Sequence, residues 1–189
     1  MVRSVLFVCL GNVNRSPTAE YIFRAKLNLP KAPGGSQGPL YVASAATGGH
    51  TEGDPAMREM IAAARKRGID LTPHRARQRS SLTPPTENTQ QGQFALAKLL
   101  RVLGGLSWAG ADFETFDLIV AMDRSNLRNL SSMCPPQQKH KLKLLIRDYA
   151  PQCGTEEVPD PYYEGGHLGV FDLIEKGIEG LIEKEGISA

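Results

Sequence analysis

The sequence predicts an α/β fold: an open, doubly wound sheet of four parallel strands with helices on both faces. Two observations carry that expectation. Short apolar, β-rich runs alternate along the chain with stretches of helical length, and the best runs are apolar throughout, as strands buried on both faces are. A length of 189 residues suits one domain with one good core.

Val2–Val8 is the first such run, and the turn-forming Gly11-Asn12 follows it closely. Ser16-Pro17-Thr18-Ala19-Glu20 then reads as a helix start. Ser16 stands as N-cap, Pro17 at the first helical position and an acid in the first turn. Tyr21, Ile22 and Ala25 continue one apolar face. Leu29–Pro39 is a Pro/Gly-rich loop, and Leu40–Ala46 reads as the second strand. Pro55–Gly68 is a second helix that Gly68 ends as the C′ residue. Phe116–Met122 is the third strand, and Asp123 caps a short helix through Leu130. Leu142–Ile146 is a weaker fourth strand, and Phe171–Glu185 a final amphipathic helix.

Residues 79–111 fit this plan poorly and read as an insertion within a single domain spanning 1–189. Ser80–Gln93 is polar and carries Pro84-Pro85, while Phe94–Leu103 has an apolar face before Gly104-Gly105. A surface insertion and a lid or partner-binding segment both fit that composition.

Composition excludes several functions. Lys+Arg 22 against Asp+Glu 20 leaves a net charge of +2, too small for a nucleic-acid binder. No apolar run approaches the ~18 residues of a membrane span. The opening Met1–Val8 lacks an export signal, so a cytoplasmic location is expected. Three widely spaced cysteines, at 9, 134 and 153, make a poor disulfide framework. Histidines 50, 74, 140 and 167 show no i,i+4 pair on a helix, so metal ligation is not expected. No cofactor is expected.

The chemistry concentrates in Cys9-Leu10-Gly11-Asn12-Val13-Asn14-Arg15-Ser16. Cys, five residues, Arg, then a hydroxyl is a common spacing, so its setting must decide. The segment leaves a buried strand and enters a helix, where backbone N–H groups and the helix dipole favour an anion. Arg15 offers a planar fork for two phosphate oxygens. Gly11 and Asn12 tolerate the left-handed backbone that such a loop needs. Cys9, at the base, lies beside two features that favour its thiolate, the helix N-terminus and the guanidinium. A thiolate that displaces an alcohol from phosphorus needs a proton for the leaving oxygen. Asp160, in the Pro-flanked loop Val158-Pro159-Asp160-Pro161 after the last strand, is placed to give it. Tyr162 and Tyr163 can wall a cleft for a flat aromatic group.

These residues resemble the low-molecular-weight protein tyrosine phosphatases. The resemblance rests on C-L-G-N-V-N-R-S-P at 9–17, S-A-A-T-G at 44–48, H-R-A-R-Q at 74–78, A-M-D-R-S-N-L-R at 121–128 and D-P-Y-Y at 160–163, in the family's order. It implies the family's flavodoxin-like sheet of four parallel strands. It also implies that Cys9 forms a phosphocysteine, that Arg15 clamps the phosphoryl group, and that Asp160 is first acid and then base. Leu10, Gly11, Asn12, Val13 and Asn14 would complete the phosphate-binding loop, and Asn12, Ser16, Ser44 and His74 would support it. The implied substrates are phosphotyrosine-containing proteins and small aryl phosphates, with phosphate-like anions as inhibitors and no metal required.

Two departures from the family pattern stand out. Asn14 occupies a position where many relatives carry a second loop cysteine, so a disulfide within the loop is impossible. His50 stands about where relatives place a Trp or Tyr that helps select substrate, and reads equally as a substrate contact or a free loop residue. Two other functions fit the motif. An arsenate reductase on the same fold would need further cysteines for thiol exchange. A non-catalytic phosphotyrosine-binding module would be expected to lack the nucleophile or the acid.

Overall fold

Six consecutive buried residues, Ser4–Cys9, form the strand β1 around which the molecule is built. The computed structural model describes residues 2–29, 40–77 and 110–188. Beside β1 lie β2 (Tyr41–Ala46) and β3 (Leu118–Ala121), and β4 (Leu142–Leu144) pairs with the far side of β3. All pairs are parallel, in the order β2-β1-β3-β4. The four-stranded α/β architecture is the one the sequence predicts. The chain departs from β1 to one side and returns on the other, so a crevice opens between the C-terminal ends of β1 and β3.

Alternation along the strands divides the core in two. Val5, Phe7 and Cys9 face one side with Val42, Val120 and Met122, against helices α1 (Arg15–Lys26), α2 (Arg58–Arg65), α5 (Leu145–Tyr149) and α7 (His167–Lys184). Leu6 and Val8 face the other side with Ala43, Ala45 and Ile119, against Phe113 of α3 (Gly110–Thr115) and Leu130 of α4 (Arg124–Met133). Side chains two apart share a face, so Cys9 must point toward α1. A four-residue helix, α6 (Pro161–Glu164), precedes α7.

Several boundaries differ from those expected, each for a local reason. Helix α1 begins at Arg15 with Asn14 at its N-cap; Ser16 lies inside the first turn and turns its hydroxyl to Cys9. Glu20 is a fully buried group that pairs with Arg24 rather than an acid of the first turn. Helix α2 is shorter than Pro55–Gly68 because Pro55 is held in a bridge to Arg75. Gly68 does take the left-handed backbone (φ +77) just beyond it. β4 stops at Leu144 because Leu145 and Ile146 already belong to α5; a short apolar run suits either state. Asp123 caps α4 as expected, accepting from Asn126 N–H at 2.7 Å, and the helix runs on to Met133. Helix α7 starts at His167, four residues before Phe171. The short helices α3, α5 and α6 and the 3₁₀ turns Pro136–Lys141 and Pro151–Cys153 were not expected. Residues 30–39 of the expected loop and 79–109 of the expected insertion lie outside the described residues. Among the described residues no helix is long and apolar enough to cross a membrane.

Helices α5 and α7 touch through glycine. A Cβ on Gly180 would lie 1.8 Å from the Tyr149 carbonyl oxygen, and one on Gly177 2.7 Å from Leu145 Cγ. Such close approach explains glycine inside a long helix, where it is otherwise unfavourable by roughly 0.5–1 kcal/mol against alanine. Gly180→Ala is therefore expected to destabilise by about 1–3 kcal/mol through forced separation of the two helices. Gly169→Ala, where a Cβ meets nothing within 4 Å, is the control and should be neutral or stabilising in the same urea titration.

Candidate active site

Between the end of β1 and the start of α1 the backbone turns inside out. Each carbonyl from 9 to 14 is held from outside the turn. Thr47 N–H donates to the Cys9 oxygen (2.9 Å), Gly48 N–H to Leu10 (2.9 Å) and the Thr51 hydroxyl to Gly11 (2.6 Å). His74 Nε2–H donates to Asn12 (2.7 Å), Met57 N–H to Val13 (2.9 Å) and the Thr18 hydroxyl to Asn14 (2.6 Å). A carbonyl only accepts, so the His74 proton sits on Nε2. With the oxygens tied outward, the N–H groups of Gly11, Val13 and Asn14 are left without a protein acceptor among the described residues, beside the N-terminus of α1. That is an anion site made of backbone.

Asn12 makes the turn possible. Its φ of +54 is left-handed, a conformation that Asn tolerates better than most residues. Its Nδ2 donates to Ser16 Oγ and Ser44 Oγ, both at 2.9 Å, and its Oδ1 accepts from Arg77 N–H at 2.8 Å. Ser16 Oγ, which accepts from Asn12, lies 3.0 Å from Cys9 Sγ, a bond in which either atom can donate, and 3.5 Å from the Ala45 carbonyl oxygen. Asn12 N–H also reaches that sulfur at 3.2 Å. Ser44, on the Cys9 face of β2, donates a hydrogen bond to Glu20 Oε2 at 2.7 Å. Glu20 is fully buried, with Arg24 at 3.0 Å and Arg77 at 3.6 Å as counter-charges. Paired and hydrogen-bonded, such a charge is sustainable; stripped of its partners it would be costly.

Arg15 closes the site from the other side. Its side chain is 3% exposed and reaches two carboxylates, Nη1 to Asp123 Oδ2 and Nη2 to Asp160 Oδ2, each at 2.6 Å. Nη1 also donates to the Val158 carbonyl at 3.2 Å. Burial alone would lower its pKa, but the Cys9, Asp160 and Asp123 charges outweigh that and hold the guanidinium above its ordinary range. Asp160 has the extended backbone expected of it (φ −89, ψ 106) but does not lie away from a helix: it caps α6, its Oδ1 accepting from Tyr162 N–H at 3.2 Å.

A cleft of about 270 Å³ joins these groups. It is lined by Cys9, Leu10, Gly11, Val13, Asn14 and Arg15 from the loop, with Asp160, Tyr162 and Tyr163 opposite and His50 at the side. Asn12, Ser16, Ser44 and His74 stand behind the loop rather than in the cleft, each fully buried. Tyr162 and Tyr163 are exposed and pack edge to face, with ring centres 5.0 Å apart. Asn14 Nδ2 meets the Met57 sulfur at 2.9 Å.

Sequence reasoning missed Asp123 as a partner of Arg15, along with Glu20, Arg24 and Arg77 behind the loop and Gly48 and Thr51 in the lining. A signal existed for Asp123: it follows β3, the strand across the switch point from β1, where such sheets place ligand-contacting residues. Among the described residues no group of three or more His, Cys, Asp or Glu is placed to hold a metal ion.

A family model described as low molecular weight phosphotyrosine protein phosphatase matches residues 4–84 and 107–187. YfkJ of Bacillus subtilis, a low molecular weight protein-tyrosine-phosphatase, is 35% identical over 179 residues, spanning 95% of this chain and 93% of its own. Its crystal structure superposes with a TM-score of 0.70 over 99% of this chain and 98% of that one. The low molecular weight phosphotyrosine protein phosphatase of Gallus gallus is 33% identical, covering 97% and 96% of the two chains. The protein tyrosine phosphatase of Entamoeba histolytica, with Hepes in its active site, gives a TM-score of 0.70 at 30% identity over 97% of both chains.

The loop's dependence on Asn12 separates into backbone and side-chain parts. Asn12→Gly loses the side-chain bonds but keeps the backbone free, and is expected to cost about 2–3 kcal/mol. Asn12→Ala adds strain at positive φ and should cost about 1 kcal/mol more, a difference read in urea unfolding of the two variants.

Proposed function

Because the chain belongs to the low molecular weight phosphotyrosine protein phosphatases, we propose that it hydrolyses phosphotyrosine in proteins and small aryl phosphates through a phosphocysteine at Cys9. What supports this reading is the convergence of Cys9, Arg15 and Asp160 on one cleft, from the two ends of the chain.

The phosphoryl group sits over the loop, its equatorial oxygens facing the free N–H groups and Arg15. The Cys9 sulfur attacks phosphorus in line, and the bond to the phenolic oxygen breaks as Asp160 delivers a proton to it. Ionised phenol has a conjugate acid near pKa 10, so that proton transfer contributes roughly 10²–10⁴-fold. Asp160, now a carboxylate, takes a proton from the water that attacks the phosphocysteine, and Cys9 leaves as thiolate. Charge spreads over the phosphoryl oxygens throughout, so fixed dipoles and one guanidinium supply most of the stabilisation. The aryl ring lies between Leu10 and the tyrosines, with His50 at the margin; phosphate-like anions such as vanadate occupy the same floor and inhibit. A reaction that depends on a free thiol suits a reducing compartment, and we assign the cytoplasm. The arsenate-reductase reading is disfavoured because neither Cys134, in the core on the far face of the sheet, nor Cys153 lines the cleft.

Two experiments test the assignment. Rapid quench with a ³²P-labelled aryl phosphate should trap label on Cys9, and Cys9→Ser should abolish turnover while leaving the fold intact by circular dichroism. Asp160→Asn should lower kcat/KM for phenyl phosphate by about 10²–10³-fold but that for 2,4-dinitrophenyl phosphate by less than about tenfold, since a good leaving group needs no proton. An equal loss on both substrates would assign Asp160 a structural role.

A further inference from the structure

Arg15 has hydrogens to spare for a phosphoryl group, on Nε, which has no partner among the described residues, and on Nη2. What must change is Asp160: to give a proton it has to be neutral and turned to the leaving oxygen, which ends its 2.6 Å ion pair with Nη2. On the proposed reading Asp160 then has to remain over the leaving oxygen without the bond that tethered it. Something else must fix its loop.

We propose that Arg124 does this, as a positioning residue for Asp160. Arg124 opens α4, directly after Asp123, and its guanidinium pairs with Glu156 and with Glu157, the latter at 3.3 Å. Its backbone N–H also donates to Glu157 Oε2 at 3.2 Å, which places a carboxylate at the positive end of α4. Both glutamates lie on the segment that leads to Asp160. The Thr155 hydroxyl braces Glu157 through that residue's N–H and carbonyl (3.4 and 3.3 Å), and Val158 N–H donates to the Met122 carbonyl at 2.8 Å. The loop that carries the acid is thereby fastened to the loop after β3, which also carries the Asp123 that orients Arg15. Release of Nη2 by Asp160 then breaks one bond, while Asp123 keeps Nη1 in place and Arg124 keeps the acid loop in register. Arg124 is more than half exposed and takes no part in lining the cleft, so its effect reaches substrate only through Asp160.

The inference rests on Asp160 being the acid, and the test separates the two ideas. Arg124→Ala should lower kcat/KM for phenyl phosphate about two- to tenfold, the range of exposed ion pairs acting together, and leave that for 2,4-dinitrophenyl phosphate within about twofold. Arg124→Lys, which keeps a cation but not the fork, should restore part of the loss. In an Asp160→Asn background the Arg124→Ala change should have no further leaving-group effect, because residues that act through one another are not additive. Equal losses on the two esters, no loss on either, or an undiminished effect in the Asp160→Asn background would each overturn the role of Arg124. If Asp160→Asn itself shows no dependence on the leaving group, the assignment of the acid fails instead.

Discussion

The site depends on one residue held in a backbone state it does not prefer. Asn12 at φ +54 turns the chain so that six successive carbonyls face protein donors and the N–H groups face the cleft. A left-handed non-glycine residue is unfavourable by itself, of order 1 kcal/mol or more. Ser16, Ser44, Arg77 and His74 offset that through bonds to its side chain and carbonyl. These partners come from α1, β2 and the segment after α2, so the loop is shaped by the whole α1 side of the molecule. Preorganisation of this kind is what lets backbone dipoles stabilise charge without rearranging during reaction.

Behind Asn12 stands a second tier that carries full charges. Glu20 is buried with two arginines and accepts a hydrogen bond from the Ser44 hydroxyl. It is more than a structural ion pair, because Ser44 is the same hydroxyl that accepts from Asn12. Removing the carboxylate would leave Arg24 and Ser44 to find new partners in a dry interior, and Asn12 would feel the change through one shared oxygen.

The fold was legible because its strands are apolar runs separated by helical stretches, and the loop because Cys9, Gly11, Asn12 and Arg15 stand at a strand-to-helix junction. Local rules failed where tertiary contacts took over a residue that would otherwise serve its own helix. Ser16 has the side chain of an N-cap, yet its hydroxyl is taken by Cys9 and Asn12, so the helix starts two residues earlier than that reading implied. Asp160-Pro161 has the same cap-then-proline start as Ser16-Pro17, but Gly165-Gly166 ends the segment after one turn and leaves no helical periodicity to read. Asp123 was read correctly as a cap, but only one of its two oxygens does that work. The division of a carboxylate between a helix end and a distant arginine depends on strand order, and no local pattern encodes it.

The alternation of side chains in β1 has an arithmetical consequence. Val5, Phe7 and Cys9 share the α1 face, and Leu6 and Val8 share the other. A single residue inserted within β1 would put the residues before it out of phase with Cys9, turning Val5 and Phe7 toward the face that Leu6 and Val8 now fill. The strand's length is therefore subject to parity: it changes freely by pairs of residues, while a change of one has to be absorbed by a bulge.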